Sequence, residues 1–302
     1  MKKIISIALI YLISLSTYGQ DLIDKVPIKL IDGLIFIELK INDIKEPLNF
    51  MFDTGAGITV IDTKIAKEIQ LSISGELKIG TSGKTLSSKL SNNNQIILGN
   101  KLKLDSIPLA LMDLSHLSDY FKTNVDGIIG FDLLNKVVTE TNIDALEMRF
   151  FSNTNYIFNG KSKPIKLIGL ESNHLGLEIN IVPKGKKENI TLIIKIDTGA
   201  GNYLTFHNNS VTKHKLINPK KRYKIKKGFG ADSTITKNLN GKVSLAIFGN
   251  KKWKNIPVVF EVDPLNETSE RQADGLIGQK MLLDFNITYN LKNGIVYLEN
   301  RN

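Results

Sequence analysis

The chain repeats its own sequence. The segment "FMFDTGAGITVID", which contains Asp53, recurs as "IKIDTGAGNYLTF", which contains Asp197. A second landmark follows each copy, "DGIIG" at residues 126–130 and "DGLIG" at residues 274–278. Landmarks that recur in the same order indicate an internal duplication, in which each copy forms one structural unit. A fold for this chain must therefore build the same unit twice.

The segments between these landmarks are short apolar runs of strand length. Examples are "GLIFIELKI", "ITLIIKI", "KVSLAIFG" and "IPVVFEV", which are rich in Ile, Leu and Val and are bounded by Asn, Gly, Asp and Lys. Runs of this kind with regular turn signals predict an all-β fold. Helices are predicted only after Asp62, where three Ile residues spaced four apart share one face, and in "FDLLNKV" and "QKMLLDF".

Composition changes divide the chain into three parts. Residues 1–20 begin with two lysines, continue with an apolar run too short to span a bilayer, and end in small residues. This pattern predicts a cleaved secretory signal peptide, and hence a secreted or periplasmic protein without a membrane span. The polar stretch at residues 152–164 marks the seam between the copies. We expect lobes at residues 21–155 and 156–302.

Charge and cysteine content narrow the function. The net charge is +10 and cysteine is absent, which excludes disulfides, zinc–thiolate sites and a thiol nucleophile. The dense basic run "PKKRYKIKKGFG" alternates Tyr223 and Ile225 with lysines, which is typical of a half-buried strand with a charged outer face, so no nucleic-acid partner is expected. The four His lack metal-ligand spacing, and the phosphate-loop and dinucleotide-loop patterns are incomplete, so no metal or cofactor is expected.

The repeated motifs resemble a known family. "FMFDTGAG", "IIKIDTGAG", "DGIIG" and "DGLIG" resemble the paired active-site loops of the aspartic proteases, the pepsin and retropepsin group, in which an Asp-Thr-Gly loop precedes an apolar-apolar-Gly element. The resemblance extends over both halves. It implies two homologous pepsin/retropepsin-like β-barrel lobes with a cleft between them. It also implies that Asp53 and Asp197 are catalytic, share one proton and hold a water.

The same resemblance gives roles to the neighbours of the two acids. Gly55 and Gly199 would let the backbone approach the carboxylates and donate N–H groups, because they have no Cβ. Thr54 and Thr198 would cross-link the two loops through hydroxyl hydrogen bonds. These four residues complete the expected active-site loops.

The second landmark is expected to be structural. Gly130 and Gly278 would be the closing glycines of the apolar-apolar-Gly elements. Asp126 and Asp274 are also duplicated, and we expect them to bond to backbone groups rather than take part in chemistry.

Each half also contains a Gly-rich hairpin that could serve as a flap over the cleft. The residues at the two tips are Gly80, Thr81, Ser82 and Gly83 in the first half, and Gly228, Phe229 and Gly230 in the second. An ordinary hairpin turn is the alternative interpretation of each.

The predicted function is that of an aspartic endopeptidase acting on peptide or protein substrates as a monomer, because one chain supplies both acids. One departure supports an alternative. The family usually has Ser, Thr or Asp two places after the Gly of the loop, where this chain has Gly57 and Gly201. A non-catalytic peptide- or ligand-binding module on the duplicated scaffold is therefore the competing hypothesis, although two intact Asp-Thr-Gly copies favour an enzyme.

Overall fold

The computed structural model describes residues 22–80, 85–230, 235–262 and 273–301. Strands account for 54% of the structure and helices for 13%, which confirms the all-β class predicted from the apolar runs. The predicted signal peptide and three residues of the first predicted flap, Thr81, Ser82 and Gly83, lie outside the described residues.

Each half of the chain contributes a similar series of strands. The first half contains β1 (Leu22–Pro27), β2 (Lys29–Ile31), β3 (Leu34–Ile41), β4 (Leu48–Phe52), β5 (Thr59–Asp62), β6 (Gly75–Gly80), β7 (Thr85–Leu98), β8 (Leu102–Met112), β9 (Gly127–Ile129), β10 (Val138–Asn142) and β11 (Glu147–Phe151). The second contains β12 (Ile165–Lys166), β13 (Ile168–Leu170), β14 (His174–Pro183), β15 (Ile190–Asp197), β16 (Leu204–Phe206), β17 (Lys224–Phe229), β18 (Ile235–Phe248), β19 (Lys251–Lys254), β20 (Pro257–Glu261), β21 (Gly275–Gly278), β22 (Phe285–Asn290) and β23 (Ile295–Asn300).

The described helices are short. They are α1 (Thr63–Glu68), α2 (Ser115–Phe121), α3 (Phe131–Lys136), α4 (Asn208–Lys213) and α5 (Gln279–Leu282). Three of them confirm the sequence prediction, and α1 begins behind Asp62, whose carboxylate accepts the amide of Lys64 at 2.8 Å. The prediction missed α2 and α4, because neither begins behind a capping side chain such as Asp62.

The two halves form separate sheets with the same strand order. The first sheet runs β2-β3-β4-β9-β5-β8-β7-β6, and the second runs β13-β14-β15-β21-β16-β20-β18-β17 with β19 added beside β18. In both sheets the strand that leads to an Asp-Thr-Gly loop pairs in parallel with the short strand of the second landmark, β4 with β9 and β15 with β21. The sequence duplication is therefore also a duplication of topology.

A third sheet joins the halves. Its order is β1-β11-β10-β22-β23-β12, so three strands come from each half and β10 pairs with β22 at the centre. The sequence did not predict this pairing, because strands that pair across 146 residues leave no local pattern.

The largest core cluster contains buried apolar side chains from both halves, including Phe52 and Tyr289, whose rings meet edge to face at 6.1 Å. Residues 152–164, the predicted seam, contain no helix or strand and lead directly into β12. Within the described ranges, no helix is both long and apolar enough to cross a membrane.

Candidate active site

The two Asp residues leave their sheets at matching points. Asp53 directly follows β4, and its amide donates to the carbonyl of Ile129 in β9 at 2.9 Å. Asp197 ends β15 and pairs with Gly278 of β21. Side chains alternate between the faces of a strand, so burial of Phe52 in the core places the carboxylate of Asp53 on the opposite face.

Crossed hydrogen bonds tie the two loops together. The Thr54 hydroxyl donates to the carbonyl of Ile196 at 2.9 Å and accepts the Thr198 amide at 3.1 Å. The Thr198 hydroxyl donates to the carbonyl of Phe52 at 2.9 Å and accepts the Thr54 amide at 2.9 Å. Both threonines are 1% exposed. This reciprocal set fixes the two loops against each other as one unit.

The same junction brings each carboxylate against the glycine of the other loop. A Cβ added to Gly55 would lie 2.7 Å from Cγ of Asp197, and a Cβ added to Gly199 would lie 2.4 Å from Cγ of Asp53. Only glycine fits at either position. The amides of Gly55 and Gly199 both donate to Oδ1 of Asp53, at 2.7 and 3.2 Å. The two acids therefore lie at one site, supplied equally by both halves.

Burial and a neighbouring charge favour a proton on this pair of acids. Desolvation and the negative charge of Asp197 raise the pKa of Asp53 from 3.8 to about 7, although Lys195 and the two glycine amides act in the opposite direction. A proton that an isolated Asp would lose in mild acid is thus retained up to neutral pH. The pair can serve as an acid and a base at the same time.

Two further groups at this site were missed by sequence reasoning. Nζ of Lys195 lies 3.0 Å from Oδ2 of Asp197, and the His174 imidazole forms a hydrogen bond with the backbone of Gly55. Burial, followed by the charge of Lys195, lowers the pKa of His174 from 6.5 to about 4, so its imidazole is neutral at neutral pH. A signal for Lys195 did exist, since a lysine two residues before an Asp in a strand lies on the same face.

The two glycines that depart from the family pattern have different surroundings. A Cβ on Gly57 would lie 1.9 Å from the carbonyl oxygen of Ser172, and Nδ2 of Asn173 donates to the carbonyl of Gly57 at 3.0 Å. A Cβ on Gly201 would meet no described atom within 4 Å. Backbone from the second half thus excludes a side chain at the first position, whereas the second position is open.

The acids of the second landmark form hydrogen bonds with the strands that lead to the two loops. Asp126 Oδ2 accepts the Asn49 amide at 2.7 Å, and Asp274 Oδ2 accepts the Ile193 amide at 2.9 Å, so both acids hold the strands that lead to the loops. These bonds confirm the expected backbone role of the two acids.

The closing glycines lie directly behind the loops. A Cβ on Gly130 would lie 1.9 Å from the carbonyl oxygen of Asp53, and one on Gly278 would lie 2.4 Å from that of Asn202. Close approach of loop backbone therefore requires glycine at both positions.

Four of the predicted flap residues are described, and they lie in β6, in β17 or directly after β17. Gly80 ends β6 opposite Thr85, and Gly228 lies inside β17 opposite Thr236. Phe229 ends β17, and Gly230 follows it. In the described part of the chain, no hydrogen bond joins these residues to either Asp, so the flap role stays a prediction.

No group of His, Asp and Glu among the described residues has the arrangement of a metal site.

Residues 37–133 match the model of a protein family described as aspartyl protease. The matched part contains the first loop with Asp53 and the first closing element, and covers about a third of the chain. Among curated proteins none matches the chain. The family match supports an assignment to the aspartyl proteases, and hence to the hydrolases.

Proposed function

We propose that the chain is an aspartic endopeptidase and that Asp53 and Asp197 are its catalytic residues. One observation carries the proposal: the crossed threonine bonds and the two opposed glycines bring the two carboxylates to one site from two copies of the same loop. A structural role for the duplicated tripeptide would not require each carboxylate to lie against the glycine of the other copy.

The chemistry follows from one shared proton. A water held between the acids loses a proton to the ionised carboxylate while its oxygen attacks the carbonyl carbon of the peptide bond. The protonated carboxyl gives its proton to the carbonyl oxygen, which yields a tetrahedral diol. The C–N bond then breaks. The leaving nitrogen takes the proton that came from water, and the other acid recovers its proton from a diol hydroxyl.

We propose that the two sheets are pepsin/retropepsin-like lobes, at residues 21–155 and 156–302, with the substrate cleft at the loop junction and the six-stranded sheet as their common base. Both loops come from one chain, so a monomer should be active. Activity per molecule that rises with protein concentration over the dimerisation range would contradict this.

The second candidate is a peptide- or ligand-binding module. One observation favours it: Lys195 already neutralises Oδ2 of Asp197, at an oxygen that a catalytic water would approach. In a binding module the acids would hold a ligand without cleaving it.

The deciding experiment incubates the chain with a diverse peptide pool from acidic to neutral pH and reads the products by mass spectrometry. The wild type should release shortened peptides, whereas Asp197→Asn should not. Asp43→Asn, in the exposed turn after β3, is the matched control and should cleave like the wild type. Peptide binding without shortened products in the wild type would establish the binding module instead.

We further propose that residues 1–20 are removed on export and that the protein is secreted or periplasmic. Mass spectrometry of the protein recovered outside the cytoplasm should show a chain that begins close to residue 21. An intact Met1 in the exported protein would contradict this proposal.

A further inference from the structure

The two halves differ in the residues that flank their acids. In the first half, Phe36 of β3 is paired with Met51 of β4, two residues before Asp53, and both side chains are buried in the smaller core cluster. In the second half, Gly176 of β14 is paired with Lys195 of β15, two residues before Asp197. A lysine opposite a glycine thus stands where the first half has two packed apolar side chains.

The same register places a second polar residue beside the acids. If the strand pairing is extended by two residues toward the loop, Leu34 lies opposite Asp53 in the first half, and His174 lies opposite Asp197 in the second. Leu34 is buried with Phe36 and Met51. The site therefore has an apolar flank on the Asp53 side and a polar flank on the Asp197 side.

Four titratable groups act on one another at this site: Asp53, Asp197, Lys195 and His174. His174 is neutral at neutral pH, because burial and the nearby ammonium disfavour its charged form. Lys195 is then the cation of the group, and its Nζ lies 3.0 Å from Oδ2 of Asp197. At that distance an ammonium stabilises an ionised carboxylate strongly, since the side chains are only 20% and 12% exposed.

The bonds to Asp53 are compatible with a proton on that residue. Both glycine amides donate to Oδ1, and a protonated carboxyl keeps one carbonyl-type oxygen that accepts such bonds. Oδ2 of Asp53 can then carry the proton. Protonation of Asp197 at Oδ2, in contrast, would give up the ion pair with Lys195.

We infer that Lys195 is a positioning residue that assigns the two acids unequal roles, with Asp197 as the base that takes the proton of water and Asp53 as the acid that protonates the peptide carbonyl. This inference rests on the proposed function. Lys195 touches neither the water nor the peptide in this scheme, and it acts through the charge of Asp197.

The test replaces Lys195 with Met, the residue at the matching position of the first half, so that length and shape are retained without charge. Carboxyl carbons of labelled Asp are followed by NMR across the pH range in the unliganded protein. In the wild type, Asp53 should carry the shared proton up to about pH 7. In Lys195→Met, Asp53 should bind this proton at a pH higher by about 1 to 3 units, because the charge of Lys195 lowers its pKa.

The pH profile of cleavage gives the second readout. Lys195 favours negative charge on the pair, so its removal should move both limbs of the profile to higher pH by about 1 to 3 units. Lys195→Arg should restore the wild-type limbs. Lys251→Met is the matched control, because Lys251 pairs with Asp284 at 3.0 Å outside the active-site loops. Lys195→Gln provides a second neutral variant if Lys195→Met does not fold.

The outcomes separate the two proposals. If Lys195→Met changes neither the carboxyl titration nor the limbs of the profile, the inference is wrong, even if the wild type cleaves peptides. If the titration depends on Lys195 but the wild type never cleaves, the proposed function fails and the placement of the proton by Lys195 stands.

Discussion

The two halves of the chain share their strand order, yet the faces beside their acids are built from different side chains. Leu34, Phe36 and Met51 form an apolar face next to Asp53, whereas His174 and Lys195 form a polar one next to Asp197. The difference teaches that a duplicated backbone can keep two loops equivalent in geometry while their side chains make the two carboxylates chemically unequal.

A second difference lies in the hairpins that precede these faces. Two residues separate β2 from β3, whereas the second half places a turn at Glu171–Asn173 between β13 and β14. This longer turn reaches the first half and brings Ser172 and Asn173 onto Gly57. The second half thus contributes backbone to the loop of the first, without a matching contact on Gly201 among the described residues.

The largest expected effect tests whether the two acids act as one unit. Asp53→Asn and Asp197→Asn should each reduce kcat by about 10⁴-fold or more, and the double variant should be no slower than either single variant, because members of a catalytic unit are non-additive. Peptide cleavage at saturating substrate measures this. A single variant that retains a tenth of wild-type turnover would show that the two halves do not share one reaction.

The next effect concerns the pH dependence of stability, which should result from the raised pKa of Asp53. The folded state holds a proton on Asp53 up to about pH 7, whereas the unfolded chain releases it near 3.8. The contribution of Asp53 to the free energy of unfolding of the wild type should therefore be greatest below about pH 4 and should fall as the pH rises to 7. The loss is on the order of 4 kcal/mol. Asp53→Asn has no carboxyl group to ionise and lacks this loss. The difference in free energy of unfolding between this variant and the wild type should therefore grow in favour of the variant as the pH rises.

Urea unfolding at pH 4.5 and pH 8 measures that advantage. Asp43→Asn, in an exposed turn, should show no change with pH relative to the wild type. An advantage of Asp53→Asn that is equal at both pH values would mean that Asp53 is not protonated in the folded state.

The third effect compares the two loop glycines that depart from the family pattern, Gly57 and Gly201. Gly57→Ser should destabilise the fold by roughly 1 to 3 kcal/mol, because its Cβ would collide with the Ser172 carbonyl and force the long turn to move. Gly201→Ser should be nearly neutral, because a Cβ there meets no described atom within 4 Å. Thermal unfolding of both variants measures this. Equal destabilisation would contradict the asymmetric contact of the long turn.

The smallest effect compares the two hairpins predicted to be flaps. Gly80→Ala should be neutral, because a Cβ there meets no described atom within 4 Å. Gly228→Ala should lower the free energy of unfolding by up to about 1 kcal/mol, because its Cβ would lie 2.7 Å from the Thr236 hydroxyl and 2.8 Å from the Asn238 amide nitrogen. Urea unfolding distinguishes the two. A larger loss of free energy of unfolding for Gly80→Ala than for Gly228→Ala would contradict this expectation.

Much of the fold could be predicted from local patterns. The apolar runs identified the strands, and the Ile spacing behind Asp62 identified α1. The short helices α2 and α4 were missed because no capping side chain precedes them, whereas Asp62 caps α1. The pairing of β10 with β22 was missed because strand partners far apart in sequence leave no local trace.

The sequence by itself determined which residues could form the candidate site, because a repeated Asp-Thr-Gly behind an apolar strand is visible as text and each residue type has a chemical reason to be there. Only the tertiary structure decided how unequal the two acids are. Lys195 lies on the same face of β15 as Asp197, which the spacing in the sequence indicates, but its charge acts on Asp53 only because the two loops meet. His174 reaches Gly55 only because its strand passes the loop of the other half. The physical reason is that charge and burial act through space, over a few ångströms between residues that the chain order keeps far apart.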